Sequence, residues 1–99
     1  MESDCGTARL GECRALIDAL DLRILAILNE RTRIVQEIGE IKQSFTMPIY
    51  EPKREEQVFQ NITSHNEGPL SNDAVKRVFE RIIDEMRTVQ KQRMQQGNK

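Results

Sequence analysis

The chain has no tryptophan, one tyrosine and three phenylalanines among its 99 residues. With so few rings its core must be aliphatic, which suits helix packing better than a β-sandwich. Proline is scarce too, and none occurs before Pro48. The single histidine, His65, stands beside Asn66, so histidine and cysteine supply no pair with metal-ligand spacing. Cys5 falls in a polar N-terminal stretch and Cys13 on a helix face; both read as unpaired thiols. No serine or cysteine has an evident base partner, and the glycines at 6, 11, 39, 68 and 97 make no phosphate-binding loop. These absences weigh against nucleophilic hydrolysis, redox chemistry and phosphoryl transfer. No run approaches the ~18 apolar residues of a membrane span, and residues 1–9 lack the apolar region of a signal peptide. A net charge of −1 gives no pull toward nucleic acid or an anionic membrane surface. The expected setting is the cytoplasm.

Charge and helical periodicity are what the chain does have. Charged residues make up 31 % and hydrophobic residues 37 %, enough for one domain with a modest core. From Leu10 to about Ser44 the apolar residues follow a 3-4-3-4 spacing: Leu10, Cys13, Ile17, Leu20, Ile24, Ile27, then Ile34, Ile38 and Ile41. The missing step is position 31, and it is arginine. The pattern predicts one long helix with an apolar seam broken once by a positive charge. Such a helix is on the order of 50 Å long, whereas a compact chain of this size is roughly 33 Å across, from a radius of gyration of ~13 Å. Either Ile34, Ile38 and Ile41 meet water or a second chain covers them. The second option, an intertwined dimer, is the expectation.

Phe45–Tyr50 reads as a connector. A second helix is predicted from about Glu51, with Pro52 suited to its first position. Glu51, Glu55, Val58 and Ile62 share one face of it, and Arg54 lies close to that edge. His65–Leu70 is a loop, Ser71 an N-cap, and Asn72–Gln95 a third helix. Its apolar stripe is Val75, Val78/Phe79, Ile82/Ile83, Met86 and Val89, with Gln90 one turn beyond Met86. No alternating strand pattern occurs. The expected fold is all-α, three helices ordered long, short, long, in an intertwined homodimeric bundle. The expected domain covers residues 9–96, with tails at 1–8 and 97–99.

Several positive groups fall on inward faces. A guanidinium at position 31 without a partner would cost several kcal/mol if buried. Its partner is Glu30 or Glu37 on the same helix, Glu51 or Glu55, or a bound anion; a register-setting role at the seam is also open. Lys42 lies eleven residues on, nearly above Arg31 at roughly 16 Å. Arg14 lies roughly 25 Å before Arg31 on the same helix, but in an antiparallel dimer it approaches Arg31 of the other subunit. Taken alone, Lys42 and Arg14 read better as solvated surface than as ligand-binding groups.

The run Arg14-Ala-Leu-Ile-Asp18-Ala-Leu-Asp21, then Asn29-Glu30-Arg31, Ile38-Gly39-Glu40-Ile41-Lys42, Pro48-Ile49-Tyr50-Glu51 and Arg54-Glu55, resembles the all-helical AroQ-class chorismate mutases. Phe79-x-x-Ile82-Ile83 and Gln90 continue the likeness, which spans about residues 8–92. The resemblance implies a cofactor-free [3,3] rearrangement of chorismate to prephenate in aromatic amino acid biosynthesis, in an intertwined dimer with two sites. It implies that Arg31 binds one substrate carboxylate and Arg14, from the other subunit, the second. Arginine suits both, because its planar fork pairs bidentately with carboxylate. It implies further that Lys42 and Gln90 donate to the ether oxygen, that Glu55 fixes the substrate hydroxyl with Glu51 nearby, and that Arg54 lies at the carboxylate end. Glu51 stands where family members often have aspartate. Met86 stands where a serine is common, so it lines the substrate pocket without offering a carboxylate a hydrogen bond.

Two other readings share these residues. An isochorismate pyruvate lyase has the same fold and a similar arginine pair, although Glu51 and Glu55 flanking Arg54 look more like the mutase. A non-catalytic dimerisation or regulatory module would gain stability from an aliphatic residue at 31, so the charge there argues for a site. A partner enzyme of the same pathway is a further expectation.

Overall fold

The structure is a computed structural model that describes residues 2–97, and among them it contains three helices and no strand. These are α1 (Glu2–Ser44), α2 (Pro52–Ser64) and α3 (Asn72–Gly97), so the all-α order long, short, long is as expected. No helix among the described residues is long and apolar enough to cross a membrane. The chain divides into two compact units, one ending at Arg33 and one beginning at Ile34.

The first unit is the N-terminal part of α1. Helix starts at Glu2, earlier than the expected Leu10; Met1 lies outside the described residues. Small polar residues suggest fraying, but no proline interrupts this stretch, and Gly6 and Gly11 weaken a helix without breaking it. Its seam is not covered: Leu10, Ile17, Leu20, Ile24 and Ile27 are between 44 and 60 % exposed. Leu16, Leu22 and Leu25 are exposed as well. An apolar face this long on a single helix is the kind of surface that another chain covers.

The second unit contains the last turns of α1 with α2 and α3. Pro52 occupies the first turn of α2, where its missing N–H is not needed. The helix ends at His65, whose backbone N–H and ring Nδ1 both lie against the Asn61 carbonyl, the latter at 2.7 Å. The lone histidine thus serves as an exposed cap. In the following loop Asn66 bonds Leu70 O and Asn72 Oδ1, each at 2.8 Å, and accepts from Gly68 N at 3.0 Å. Gly68 has φ +76°, a conformation that glycine adopts without steric cost. Ser71 caps α3 as its sequence position predicts, its Oγ accepting from Ala74 N at 3.1 Å.

The core of this unit is Val35, Ile83 and Met86, together with two polar residues, Lys42 and Gln90. Phe79 is half-buried and Val78 is exposed, so Phe79 takes the inward place of that pair. On α1 the buried face is Val35, Gly39 and Lys42, whereas the apolar seam at Ile34, Ile38 and Ile41 stays 37 to 55 % exposed. Adjacent residues point ~100° apart on a helix, so α1 presents two faces. Gly39 explains the choice between them. A Cβ there would lie 3.5 Å from Gln90 Cα and 3.6 Å from Arg93 Cβ, so α1 and α3 meet nearly backbone to backbone. Gln43 Nε2 donates to Met94 O at 3.2 Å, and Arg93 Nε to Glu40 Oε1 at 2.9 Å, closing the same contact further along.

The 3.5 Å clearance at Gly39 leaves room for one methyl group and no more. Gly39→Ala is expected to hold or raise the melting temperature, since alanine is favoured over mid-helix glycine by roughly 0.5–1 kcal/mol. Gly39→Leu should lower stability by about 1–3 kcal/mol through overpacking. Thermal unfolding followed by circular dichroism checks both; a large loss in the alanine variant would contradict the packing described.

Candidate active site

Lys42 sits in the last turn of α1 with its side chain 7 % exposed. The chain folds back just after it: Met47 N donates to Lys42 O at 2.7 Å, and Thr46 takes a positive φ of 55° to make the turn. This return brings the connector over the ammonium. Lys42 Nζ donates to Ile49 O at 3.0 Å and lies 3.7 Å from Glu51 Oε2. An ammonium has three donors. Ile49 takes one, and the carboxylate stands beyond ideal hydrogen-bond length, so donor capacity remains for a ligand.

The backbone of Gln90 on α3 lies against Gly39, which is three residues before Lys42 on the same face of α1. Gln90 is 9 % exposed, and its Oε1 is buried with no hydrogen-bond partner among the described residues. A buried polar atom left unpaired is unfavourable by about 1–3 kcal/mol. Its amide can turn to present either oxygen or NH2. The residue therefore has hydrogen-bonding capacity that the fold itself does not use.

Glu55 lies one turn after Glu51 on α2. Arg87 of α3 grips it with both arms of its fork, Nε to Oε2 at 2.9 Å and Nη2 to Oε1 at 2.8 Å. Arg87 is itself held by Asp84, with Nη1 3.4 Å from Oδ1, and its guanidinium lies 5.5 Å from the Tyr50 ring centroid. The hydrogen bond to Glu55 raises the Arg87 pKa above its ordinary value, opposed by a smaller effect of desolvation.

The structure thus brings Lys42 to Glu51, sets Gln90 against the face that carries Lys42, and ties Glu55 to α3. Met86, one turn before Gln90, is buried. Arg54 is exposed and lines a shallow groove with Glu51, Lys53 and Gln57. Arg14 and Arg31 belong to the unit that ends at Arg33, where Arg14 is exposed and Arg31 half-buried. Two features escape sequence reasoning. Ile49 contributes a carbonyl, which its residue type does not reveal. Arg87 is 32 residues from Glu55; the only signal for it is its place on α3, directly after Met86 and three residues before Gln90.

A buried ammonium with a donor to spare, on the helix face that meets a buried amide whose oxygen is unpaired and which can turn to present its NH2, suits an oxygen on which negative charge develops. The chain is 28% identical over 89 residues to the chorismate mutase of Methanocaldococcus jannaschii, covering 89% of this chain and 90% of that protein. It is 35% identical over 86 residues to a bifunctional chorismate mutase/prephenate dehydratase of Aquifex aeolicus, covering 83% of this chain but only 24% of that longer protein. Among solved structures, a chorismate mutase of Thermus thermophilus superposes with a TM-score of 0.82 at 32% identity, over 84% of this chain and 94% of that one. The chorismate mutase of Helicobacter pylori in complex with prephenate gives 0.83 at 28% identity, over 89% and 96%. The family profile of chorismate mutase type II matches residues 13–91, and the chain belongs to that family.

Proposed function

We propose that the chain catalyses the rearrangement of chorismate to prephenate. The observation that carries this reading is the pair of buried polar side chains, Lys42 and Gln90, with hydrogen-bonding capacity left over inside an otherwise apolar core. In the rearrangement the C–O bond of the enol ether breaks as a C–C bond forms within the same molecule. No group leaves and no proton moves, so the site needs neither nucleophile nor general base. What changes is charge: the ether oxygen becomes more negative at the transition state. The Lys42 ammonium and the Gln90 amide NH2 donate to that oxygen. Ile49 O holds the ammonium in advance, and the contact at Gly39 holds the Gln90 backbone from which the amide turns to donate, so little reorganisation of the fold is needed as the charge appears.

In this reading Arg31 pairs with one substrate carboxylate, and Arg14 of the partner subunit with the other. Glu55 accepts from the ring hydroxyl with Glu51 close by, and Arg54 stands at the carboxylate end. The clamp holds a flexible dianion in the compact conformation from which it reacts. Met86 gives its carboxylate neighbour no hydrogen bond, which weakens ground-state affinity more than turnover. The dimer is supported by the exposed seam of α1, whose isoleucines and leucines would otherwise face water. Burying each such side chain is worth about 1.5–3 kcal/mol. Action in the cytoplasm belongs to the same proposal. So does cooperation with an enzyme that consumes prephenate, as the dehydratase-fused relatives suggest.

Three measurements test this. Purified protein mixed with chorismate should consume its ultraviolet absorbance and yield prephenate; no turnover at micromolar enzyme would sink the proposal, and pyruvate release from isochorismate would favour the lyase. Gln90→Leu should lower kcat by roughly 10²–10³, the usual loss for one donor to a developing oxyanion, with the fold retained by circular dichroism. Arg31→Ala should abolish turnover in a dimer that stays folded by sedimentation, and mixing it with Arg14→Ala should restore activity as subunits exchange. A wild-type monomer, or no recovery despite proven exchange, would rule out a shared site.

A further inference from the structure

The fork between Arg87 and Glu55 joins α2 to α3 at the carboxylate assigned to the substrate hydroxyl. Nothing in the chemistry of the rearrangement itself calls for it. We propose that Arg87 is a positioning residue that fixes the Glu55 carboxylate as the acceptor for that hydroxyl, so that it governs recognition of the ring hydroxyl through Glu55. The inference rests on the function proposed above.

A glutamate side chain has three rotatable bonds, and its carboxylate is free to turn unless something restrains it. In the structure both oxygens are restrained, at 2.9 and 2.8 Å, by one planar group. A bidentate guanidinium uses one lone pair on each oxygen and leaves another on each. Glu55 therefore keeps the capacity to accept from a hydroxyl while losing the freedom to swing away from it. Its side chain is only 20 % exposed, so water competes little for the remaining lone pairs.

Arg87 is in turn prevented from drifting. Asp84, one turn earlier on α3, stands 3.4 Å from Nη1, and Tyr50 lies against the guanidinium at 5.5 Å. Tyr50 is flanked by Ile49, whose carbonyl holds Lys42, and by Glu51, which pairs with it. The same short connector thus braces the ammonium on one side and the Arg87–Glu55 fork on the other. Lysine in place of Arg87 would keep the charge and lose the fork.

A partly exposed ion pair that only fastened two helices would contribute little, and its loss would affect every substrate alike. A positioning role makes a different statement, because it acts only where there is a hydroxyl to recognise. The test compares chorismate with an analogue that lacks the ring hydroxyl but keeps the enol ether and both carboxylates. For Arg87→Met, KM for chorismate should rise about tenfold, the lower end for a hydrogen bond to a charged group, while kcat changes little. The same variant should handle the analogue as the wild type does, so discrimination between the two substrates shrinks by that factor. Arg87→Lys should fall between, and it is read the same way if Arg87→Met does not fold. Equal losses on both substrates, or no change on chorismate, would overturn the inference while leaving the proposed activity standing. Failure of the unmodified chain to turn over chorismate would instead remove both.

Discussion

A buried ammonium is tolerated only where oxygen atoms surround it, and Lys42 is the most buried charge among the described residues. Much of the second unit follows from meeting that need. The chain leaves α1 immediately after Lys42 and reverses through Thr46, whose positive φ is the one such non-glycine conformation among the described residues. The reversal presents the Ile49 carbonyl to Nζ and delivers Glu51 to the edge of the same group. Pro52 then starts α2 without requiring a donor, so Glu55 appears one turn later on the inward side. The position of the second carboxylate is thus set by the way the first cation is satisfied.

The same economy governs α1, where two faces have different duties. The face of Val35, Gly39 and Lys42 is narrow enough, because of the glycine, for α3 to come within van der Waals contact of the backbone. This closeness places Gln90 beside the helix that carries Lys42. The neighbouring face, with Ile34, Ile38 and Ile41, is excluded from the contact by rotation alone. The geometry that builds a polar site on one face therefore leaves an apolar seam exposed on the next, and under the proposed dimer site and assembly are two consequences of a single helix surface.

How far the sequence anticipates this depends on which interactions have a period. The three helices, the proline at the start of α2 and the Ser71 cap rest on local rules and are legible residue by residue. So is the anomaly at Arg31, because a charge in an apolar series is visible without coordinates. The start of α1 at Glu2 is not, since polar composition suggests fraying where the backbone has no reason to break. The buried face of α1 is missed for a different cause: its key residue is a glycine, which contributes to packing by what it lacks. Ile49 acts through its backbone, and Arg87 acts across 32 residues; neither leaves a pattern at short range. Arg14, Arg31 and Lys42 lie on α1, Arg54 and Glu55 on α2, Met86 and Gln90 on α3, and Glu51 just before α2, but the contacts that orient Lys42 and Glu55 are tertiary.

Those contacts divide the work along α3 in a way that bears on the chemistry. Met86, Arg87 and Gln90 occupy successive inward positions, and each meets a different demand. Gln90 faces the contact with α1 and retains unused hydrogen-bonding capacity, which is of value only when charge develops on a bound oxygen. Arg87 commits both arms of its fork to Glu55 and so, in the role proposed for it, acts on the ground state by fixing an acceptor before substrate arrives. Met86 is a buried apolar side chain of the core. Under the proposed function, a serine-to-methionine exchange at this place removes a contact to the substrate without touching either donor to the ether oxygen. Transition-state stabilisation and ground-state recognition are then carried by different side chains one turn apart on one helix. Affinity can shift through Met86 and Arg87 while Lys42 stays where Ile49 holds it and the Gln90 backbone stays packed on Gly39.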